Sequence, residues 1–130
     1  MTHLSRKHLE DHAAAWIYAW NRHDVGAVIA PFSDDATFVS PLAATLTGSA
    51  TVEGRAALLA YWTTALARVP HLRFHLVSAV CDPAAQTVVV HYVSHAGGRT
   101  VRSPELMRFR GGRLIYGEAF HEAPADQANA

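Results

Sequence analysis

Hydrophobic residues recur every three or four positions in the first half of the chain, a spacing typical of helices that bury one face. The pattern predicts three helices, over residues 5–21, 25–30 and 54–68. Ser5, with His8 three residues later, can cap the first helix, and Asp24 can cap the second. Before the third helix we predict a strand over residues 36–40 and then a loop of small residues over 42–51.

From residue 72 onwards, apolar and polar residues alternate, which is typical of strands with one buried face. The alternation predicts strands over residues 72–81, 87–95 and 99–109, and a last strand that ends near His121. Helices followed by an antiparallel meander indicate an α+β fold. We expect an α+β fold with three N-terminal helices packed on one face of a curved, mostly antiparallel sheet, in one domain spanning residues 1–130.

The Gly111-Gly112 pair joins the last two strands, and the kind of turn it makes decides which side chains face each other. A two-residue turn would place Glu105 opposite Glu118, and like charges in directly opposed positions are unfavourable. We therefore predict a three-residue turn with one glycine in a bulge.

In this register Met107 faces Ile115 and Glu105 faces Gly117. His121 then shares a face with Glu105, which brings a carboxyl group and an imidazole together on an apolar surface. Burial raises the pKa of a carboxyl group, and an imidazole can take and give a proton near neutral pH. We therefore predict that Glu105 and His121 are catalytic.

Composition argues against several classes of partner. Lys plus Arg and Asp plus Glu number 11 each, so no charge excess indicates binding to nucleic acid or to an anionic membrane surface. No apolar stretch approaches the ~20 residues that span a bilayer. The single cysteine, Cys81, and the lack of an apolar signal segment predict a cytoplasmic protein. The histidines lack metal-binding spacing, so we expect neither a metal nor an organic cofactor.

The order of these elements resembles the nuclear transport factor 2-like superfamily, which includes ketosteroid isomerases and SnoaL-like polyketide cyclases. The stretches that carry the resemblance are AWNRHD, FSDDATFVSP, VEGRAALLAYW, PHLRFHLV and MRFRGGRLIYGEAFHE, spread over nearly the whole chain. The resemblance implies a conical barrel with a pocket at its open end, and often a homodimer through the outer sheet face. It does not imply one reaction, because the fold serves several kinds of enzyme and binding protein.

The resemblance also allows a comparison with the isomerase site. Ser40 matches the position of the proton-transferring aspartate, and a serine hydroxyl is too weakly basic for that role. Trp16 matches the tyrosine that donates to the oxyanion, whereas Glu105 retains an acid in lengthened form. Some relatives end the last strand with a catalytic aspartate, which makes Glu122 the alternative to His121. We therefore expect the pocket without the steroid-isomerase mechanism.

Large apolar side chains are predicted to form the pocket wall, which suits a flat apolar ligand. The predicted substrate-binding residues are Trp16, Phe38, Tyr61, Trp62, Tyr92 and Met107. Trp20 is expected in the core. His75, His91 and His95 are expected on the outer face of the sheet, as a solvated or interface cluster rather than a metal site.

These residues predict an acid–base enzyme that cyclises, isomerises or dehydrates an apolar carbonyl-bearing molecule, such as a polyketide-like intermediate. His121 would be the base or acid, Glu105 the donor to the oxyanion or the partner that orients His121, and Ser40 a polar contact. The alternative is a non-catalytic ligand-binding or dimerisation module, favoured by the missing aspartate at Ser40. Epoxide-hydrolase-like activity is disfavoured, because such relatives carry arginine and aspartate where this chain has Val88 and Val90.

Overall fold

Four helices and six strands make up the described part of the chain, residues 2–120 of a computed structural model. In chain order they are α1 (Arg6–Asn21), α2 (Val25–Ile29), β1 (Phe32–Val39), α3 (Pro41–Thr47), β2 (Thr51–Glu53), α4 (Arg55–Arg68), β3 (Arg73–Asp82), β4 (Thr87–Ala96), β5 (Arg99–Arg110) and β6 (Arg113–Ala119). The predicted α+β class, with N-terminal helices on a mostly antiparallel sheet, is confirmed.

The strands form one sheet in the order β2-β1-β6-β5-β4-β3. Neighbouring strands are antiparallel except β1 and β6, which run parallel. Helix α1 packs on β3 and β4, whereas α4 packs on β1 and β2. The two long helices therefore cover opposite sides of the same sheet face and leave a space between them.

The first two helices begin where the capping residues predict. Ser5 Oγ accepts a hydrogen bond from the backbone N–H of His8, and His8 Nδ1 accepts one from the backbone N–H of Ser5. Asp24 accepts a hydrogen bond from the backbone N–H of Ala27 at the start of α2. Such bonds satisfy N–H groups that have no partner within the helix, which explains why both starting points follow from the sequence.

A short helix, α3, occupies the segment that we predicted as a loop. Ser40 caps it, Pro41 stands in its first turn, and Gly48 ends it with a φ of 86°. Proline suits the first turn because that position needs no N–H donor, and glycine takes a left-handed backbone without steric cost. The prediction of a loop over residues 42–51 was therefore wrong for the first part of this segment, because a short helix of small residues has no apolar stripe that would reveal it.

The turn between β5 and β6 also differs from the prediction. Gly111 and Gly112 have φ of 58° and 79°, and Arg110 pairs with Arg113 directly across them, so the turn has two residues. A turn of this kind follows the right-handed twist of the strands. The extra residue lies in β6 instead, where Ile115 has no partner on β5 and forms a bulge.

The bulge moves the later pairs of this hairpin by one residue. Glu105 lies opposite Ala119, and Met107 lies opposite Gly117. The predicted partners, Gly117 for Glu105 and Ile115 for Met107, were therefore wrong. The bulge allows a two-residue glycine turn and still keeps Glu105 away from a second carboxylate, so neither of the two registers that we considered occurs.

Candidate functional site

A cavity of about 680 Å³ lies between the inner face of the sheet and helices α1, α3 and α4. Seven aromatic rings form part of its wall. The rings belong to Trp16, Trp20, Phe38, Tyr61, Trp62, Phe74 and Tyr92. This volume and this composition are within the range of sites that bind small organic molecules.

At the cavity wall, aromatic rings of the two long helices pack against aromatic rings of the sheet. The Trp16 ring of α1 stacks on Phe74 with centroids 5.3 Å apart and meets the edge of Tyr92 at 5.1 Å. The Trp62 ring of α4 meets Phe38 of β1 edge to face at 5.2 Å. Both arrangements are favourable for aromatic pairs, so the wall is a packed surface rather than a loose set of side chains.

Glu105 is the only acidic residue among the described residues that line the cavity. It projects from the inner face of β5, opposite Ala119, and only 5% of it is exposed. Burial raises the pKa of Glu105 to about 8, because the charged form loses its hydration. The carboxyl group is therefore mainly protonated at neutral pH, and in this form it can donate a hydrogen bond.

Two tyrosine–serine pairs also line the cavity. The Ser40 hydroxyl lies near the phenol of Tyr61 and the Ser103 hydroxyl near that of Tyr92, and each serine lowers the pKa of its tyrosine. Burial raises the pKa of Tyr61 and Tyr92, and a charge on Glu105 would raise both further. Glu105, Tyr61 and Tyr92 are thus three groups able to donate a proton that line the same cavity.

Ser40 links the cavity to the start of α3. Its Oγ accepts a hydrogen bond from the backbone N–H of Leu42 at 3.2 Å. The hydroxyl proton of Ser40 is then available for the oxygen of Tyr61, and Tyr61 keeps its own proton for a ligand. The Ser40 side chain therefore caps α3 and also lies beside the phenol of Tyr61.

Arginines line the opposite, exposed side of the cavity. Arg68 ends α4, and Arg99 and Arg102 lie at the beginning of β5. All three are exposed, whereas Glu105 is buried. The cavity therefore has a charged end that faces solvent and a buried end with a neutral acid.

Most of the predicted site residues line this one cavity. They are Ser40, Glu105, Trp16, Phe38, Tyr61, Trp62 and Tyr92. Met107 does not line it: two residues further along β5, it lines a separate cavity of about 40 Å³ together with His12 and Leu114. His121 and its alternative Glu122 lie outside the described residues.

Sequence patterns missed several wall residues. Trp20, which is buried in the core as expected, also lines the cavity beside Trp16, and so do Phe74, Ser103 and Arg68. The alternation of apolar residues along β3 is a signal that could have identified Phe74. No local pattern indicates Arg68, because its place at the cavity depends on how the end of α4 lies relative to the sheet.

The outer face of the sheet carries His75, His91 and His95. Within residues 2–120, no three His, Cys, Asp or Glu side chains come close enough together to hold a metal ion. Over the same range, none of the helices has the length and apolar character needed to cross a membrane.

The chain matches one domain family and many solved structures. The model of the SnoaL-like domain matches residues 13–116. A SnoaL-like protein of unknown function from Burkholderia thailandensis superposes with a TM-score of 0.81 at 27% identity, covering 95% of this chain and 100% of that one. A proposed polyketide cyclase from Sinorhizobium meliloti superposes with a TM-score of 0.70 at 18% identity, over 90% of this chain and 100% of the cyclase.

A third structure contains a ligand. It is a protein with a ketosteroid isomerase-like fold from Catenulispora acidiphila in complex with trimethylamine, with a TM-score of 0.68 at 21% identity over 89% of this chain and 95% of that one. No curated protein matches the sequence.

These likenesses establish the nuclear transport factor 2-like fold, in which the same scaffold carries different chemistries. The family match covers most of the described chain, including Tyr61, Tyr92 and Glu105 of the cavity. The chain therefore belongs to the SnoaL-like domain family.

Proposed function

We propose that the protein is a cofactor-independent acid–base enzyme, a cyclase, isomerase or dehydratase, for an apolar carbonyl-bearing molecule such as a polyketide-like intermediate. The observation that carries the proposal is Glu105, a carboxyl group buried in an aromatic cavity large enough for such a molecule. The three reactions share the movement of a proton next to a carbonyl group. That step needs a donor to the carbonyl oxygen and a site that excludes water.

In the proposed reaction, protonated Glu105 donates a hydrogen bond to the carbonyl oxygen of the substrate. Negative charge develops on this oxygen as a proton leaves the neighbouring carbon, and the hydrogen bond strengthens with it. The hydroxyl of Tyr61 is a second donor, because Ser40 can satisfy the phenol oxygen. We assign the transfer of the carbon-bound proton to His121, on the basis of the sequence alone.

Proton exchange tests this role of Glu105. 2-Tetralone, an apolar bicyclic ketone, is incubated with the protein in D₂O, and the loss of its α-proton signals is followed by NMR. We expect Glu105→Leu to lower the protein-dependent exchange rate by about 100-fold and Glu105→Gln, which keeps an N–H donor, to lower it less. Glu53→Gln, at an exposed position on β2, is the control. Equal rates for wild type and Glu105→Leu would contradict the proposal.

A non-catalytic binding module is the second candidate function. It is favoured by Ser40, which stands where isomerases carry their aspartate and whose Oγ caps α3. The structural relative that binds trimethylamine supports small-molecule binding in this fold. Binding of apolar ketones without any acceleration of exchange would favour this candidate over the enzyme.

We further propose that the protein forms a homodimer through the outer face of the sheet and works in the cytoplasm. Val80 and Val77 of β3 are 63% and 46% exposed, a large fraction for apolar strand residues. Light scattering should report a dimer for wild type and a monomer for Val80→Lys. Leu59→Lys, at an exposed apolar position on α4, is the matched control and should remain a dimer. The free thiol of Cys81 agrees with a reducing compartment.

A further inference from the structure

Ser103 is a buried polar residue that the proposed reaction does not use. Only 2% of it is exposed, and it lines the cavity from the inner face of β5. Two other buried polar residues line the same cavity, but Ser40 caps α3 and Glu105 is the proposed proton donor. A buried hydroxyl group costs free energy unless it forms a hydrogen bond. The partners of Ser103 must therefore lie in the cavity wall or in the ligand.

Tyr92 is the partner of Ser103 in the wall. It stands directly opposite Ser103 on β4 and is equally buried. The Ser103 hydroxyl lies near the phenol of Tyr92 and lowers its pKa, which is the direction expected when the serine donates to the phenol oxygen. A hydrogen bond between two hydroxyl groups uses one of their two protons. The phenol proton of Tyr92 therefore remains for an oxygen atom of a ligand.

The ring of Tyr92 is held between two other aromatic rings. It meets Trp16 of α1 at 5.1 Å and Phe74 of β3 at 4.6 Å between centroids. These contacts leave the ring little freedom to turn aside, so the phenol keeps one position before a ligand binds. A donor that is already ordered loses little entropy on binding, which favours a role in recognition.

The cavity extends from Glu105 along β5 towards Ser103. On the neighbouring strands, Glu105 lies opposite Val90 and Ala119, which are both apolar. Along β5 itself, the next inward residue on one side is Met107, which does not line the cavity. On the other side it is Ser103, about 7 Å away, because a strand rises about 3.3 Å per residue. A ligand with a carbonyl group at Glu105 therefore extends over Ser103 and its partner.

We propose that Tyr92 and Ser103 form a second hydrogen-bonding site for the ligand. The ligand is then an apolar ring compound with two oxygen functions: a carbonyl group at Glu105, and a carbonyl or hydroxyl oxygen about 7 Å further along β5. Tyr92 donates to the second oxygen, and Ser103 is a positioning residue that orients the phenol. The inference rests on the proposed function for one point, the placement of the first carbonyl group at Glu105.

A purely structural pair is the competing interpretation. In that case the hydroxyl groups of Tyr92 and Ser103 satisfy each other, and the ligand presents an apolar edge to them. The two interpretations differ in what the protein distinguishes. A hydrogen-bonding site discriminates between a ligand with an oxygen at this position and one with a methyl group there, because a buried donor without a partner is unfavourable. A structural pair does not make this distinction.

Two derivatives of 2-tetralone separate these interpretations. 7-Hydroxy-2-tetralone carries a second oxygen on the ring remote from the ketone, whereas 7-methyl-2-tetralone carries a methyl group of similar size there. Both are used to displace N-phenyl-1-naphthylamine, an apolar fluorescent probe, from wild type, Tyr92→Phe and Ser103→Ala. Ser94→Ala is the matched control, because Ser94 also lines the cavity but lies opposite Val101, two residues further along β5 from Glu105 than Ser103 is.

The measured quantity is the affinity for the hydroxy compound divided by the affinity for the methyl compound. We expect Tyr92→Phe to lower this ratio by about tenfold, because one hydrogen bond is lost, and Ser103→Ala to lower it as well. The affinities for the methyl compound and for the fluorescent probe should stay the same, which also reports that the cavity is intact. Ser94→Ala should keep the wild-type ratio. An unchanged ratio in Tyr92→Phe, an equal fall in Ser94→Ala, or no binding of the hydroxy compound to wild type would overturn the inference.

The displacement assay is independent of the exchange assay with Glu105→Leu. A lower ratio in Tyr92→Phe, without an effect of Glu105→Leu on exchange, would refute the enzyme but keep the second hydrogen-bonding site. An effect of Glu105→Leu on exchange, with an unchanged ratio in Tyr92→Phe, would keep the enzyme and overturn the second site.

Discussion

Glu105 of β5 lies opposite Ala119 of β6, so a carboxyl group faces the cavity beside a methyl group. Directly opposed side chains on antiparallel strands have Cβ atoms about 5 Å apart. The small neighbour therefore leaves room for a ligand to reach the carboxyl group. The bulge at Ile115 sets this pairing, which means that access to the buried end of the cavity depends on one irregularity of β6.

Replacing Ala119 with leucine should close the buried end of the cavity. The larger side chain would occupy the space beside Glu105, so we expect the affinity for N-phenyl-1-naphthylamine to fall by about tenfold or more. Fluorescence titration measures this affinity, and Ala60→Leu, at an exposed position on α4, is the control. An unchanged affinity in Ala119→Leu would mean that the probe does not reach Glu105.

Glu105 should make the protein less stable as the pH rises towards 8. The folded protein holds a proton with a pKa of about 8, whereas the unfolded chain releases it near 4.5. The contribution of this proton is complete below about pH 4.5 and is lost as the pH rises through 8. In between, the free energy of unfolding falls by about 1.4 kcal/mol per pH unit.

Urea unfolding at several pH values between these limits measures that slope. Glu105→Gln should remove it, because the amide does not titrate, while the other ionisable groups contribute equally to both proteins. Glu53→Gln should keep it. Parallel curves for wild type and Glu105→Gln would show that the pKa of Glu105 is not raised by burial.

Loss of the Ser40 hydroxyl should affect both stability and the site. Ser40→Ala removes the cap of α3, which costs about 1 kcal/mol of unfolding free energy, and it frees the oxygen of Tyr61. Chemical denaturation measures the stability, and the pH dependence of tyrosine absorbance follows the pKa of Tyr61, which should rise further. Ser78→Ala, exposed on β3, should change neither quantity. A wild-type stability for Ser40→Ala would contradict the capping role.

If the protein is an enzyme, His121 should transfer the proton that leaves the carbon next to the carbonyl group of the substrate. His121→Ala is then expected to lower the α-proton exchange rate of 2-tetralone by about 100-fold, because general acid–base groups contribute at least this much. The same assay on Glu122→Gln tests the alternative residue. An effect of less than about threefold for His121→Ala, together with a large effect for Glu122→Gln, would transfer the role to Glu122.

Elements with a strong pattern or a cap are predictable from the sequence. Ser5 and Asp24 mark the first two helix starts, and alternation marks the inner faces of the strands. Helix α3 escaped prediction because it is short and buries only Ala43. A helix of seven residues is too short to show a periodic apolar stripe.

The site is predictable only in part, for a related reason. Alternation correctly places Tyr92 and Glu105 on the face that lines the cavity. It does not show where along a strand the packed core ends and the cavity begins. Met107 has the same orientation as Glu105 but lies in the core away from the cavity, and Trp20 lies in the core, as predicted, but also lines the cavity.

Local patterns thus suffice for the α+β order of elements and for the presence of a carboxyl group on an apolar strand face, since periodicity and caps act over a few residues. Long-range packing sets the rest. The parallel contact of β1 with β6, the partner of Glu105 and the place of Arg68 at the cavity each depend on segments far apart in the chain. A single bulged residue in β6 shifts an entire register, and no neighbouring residue encodes that shift.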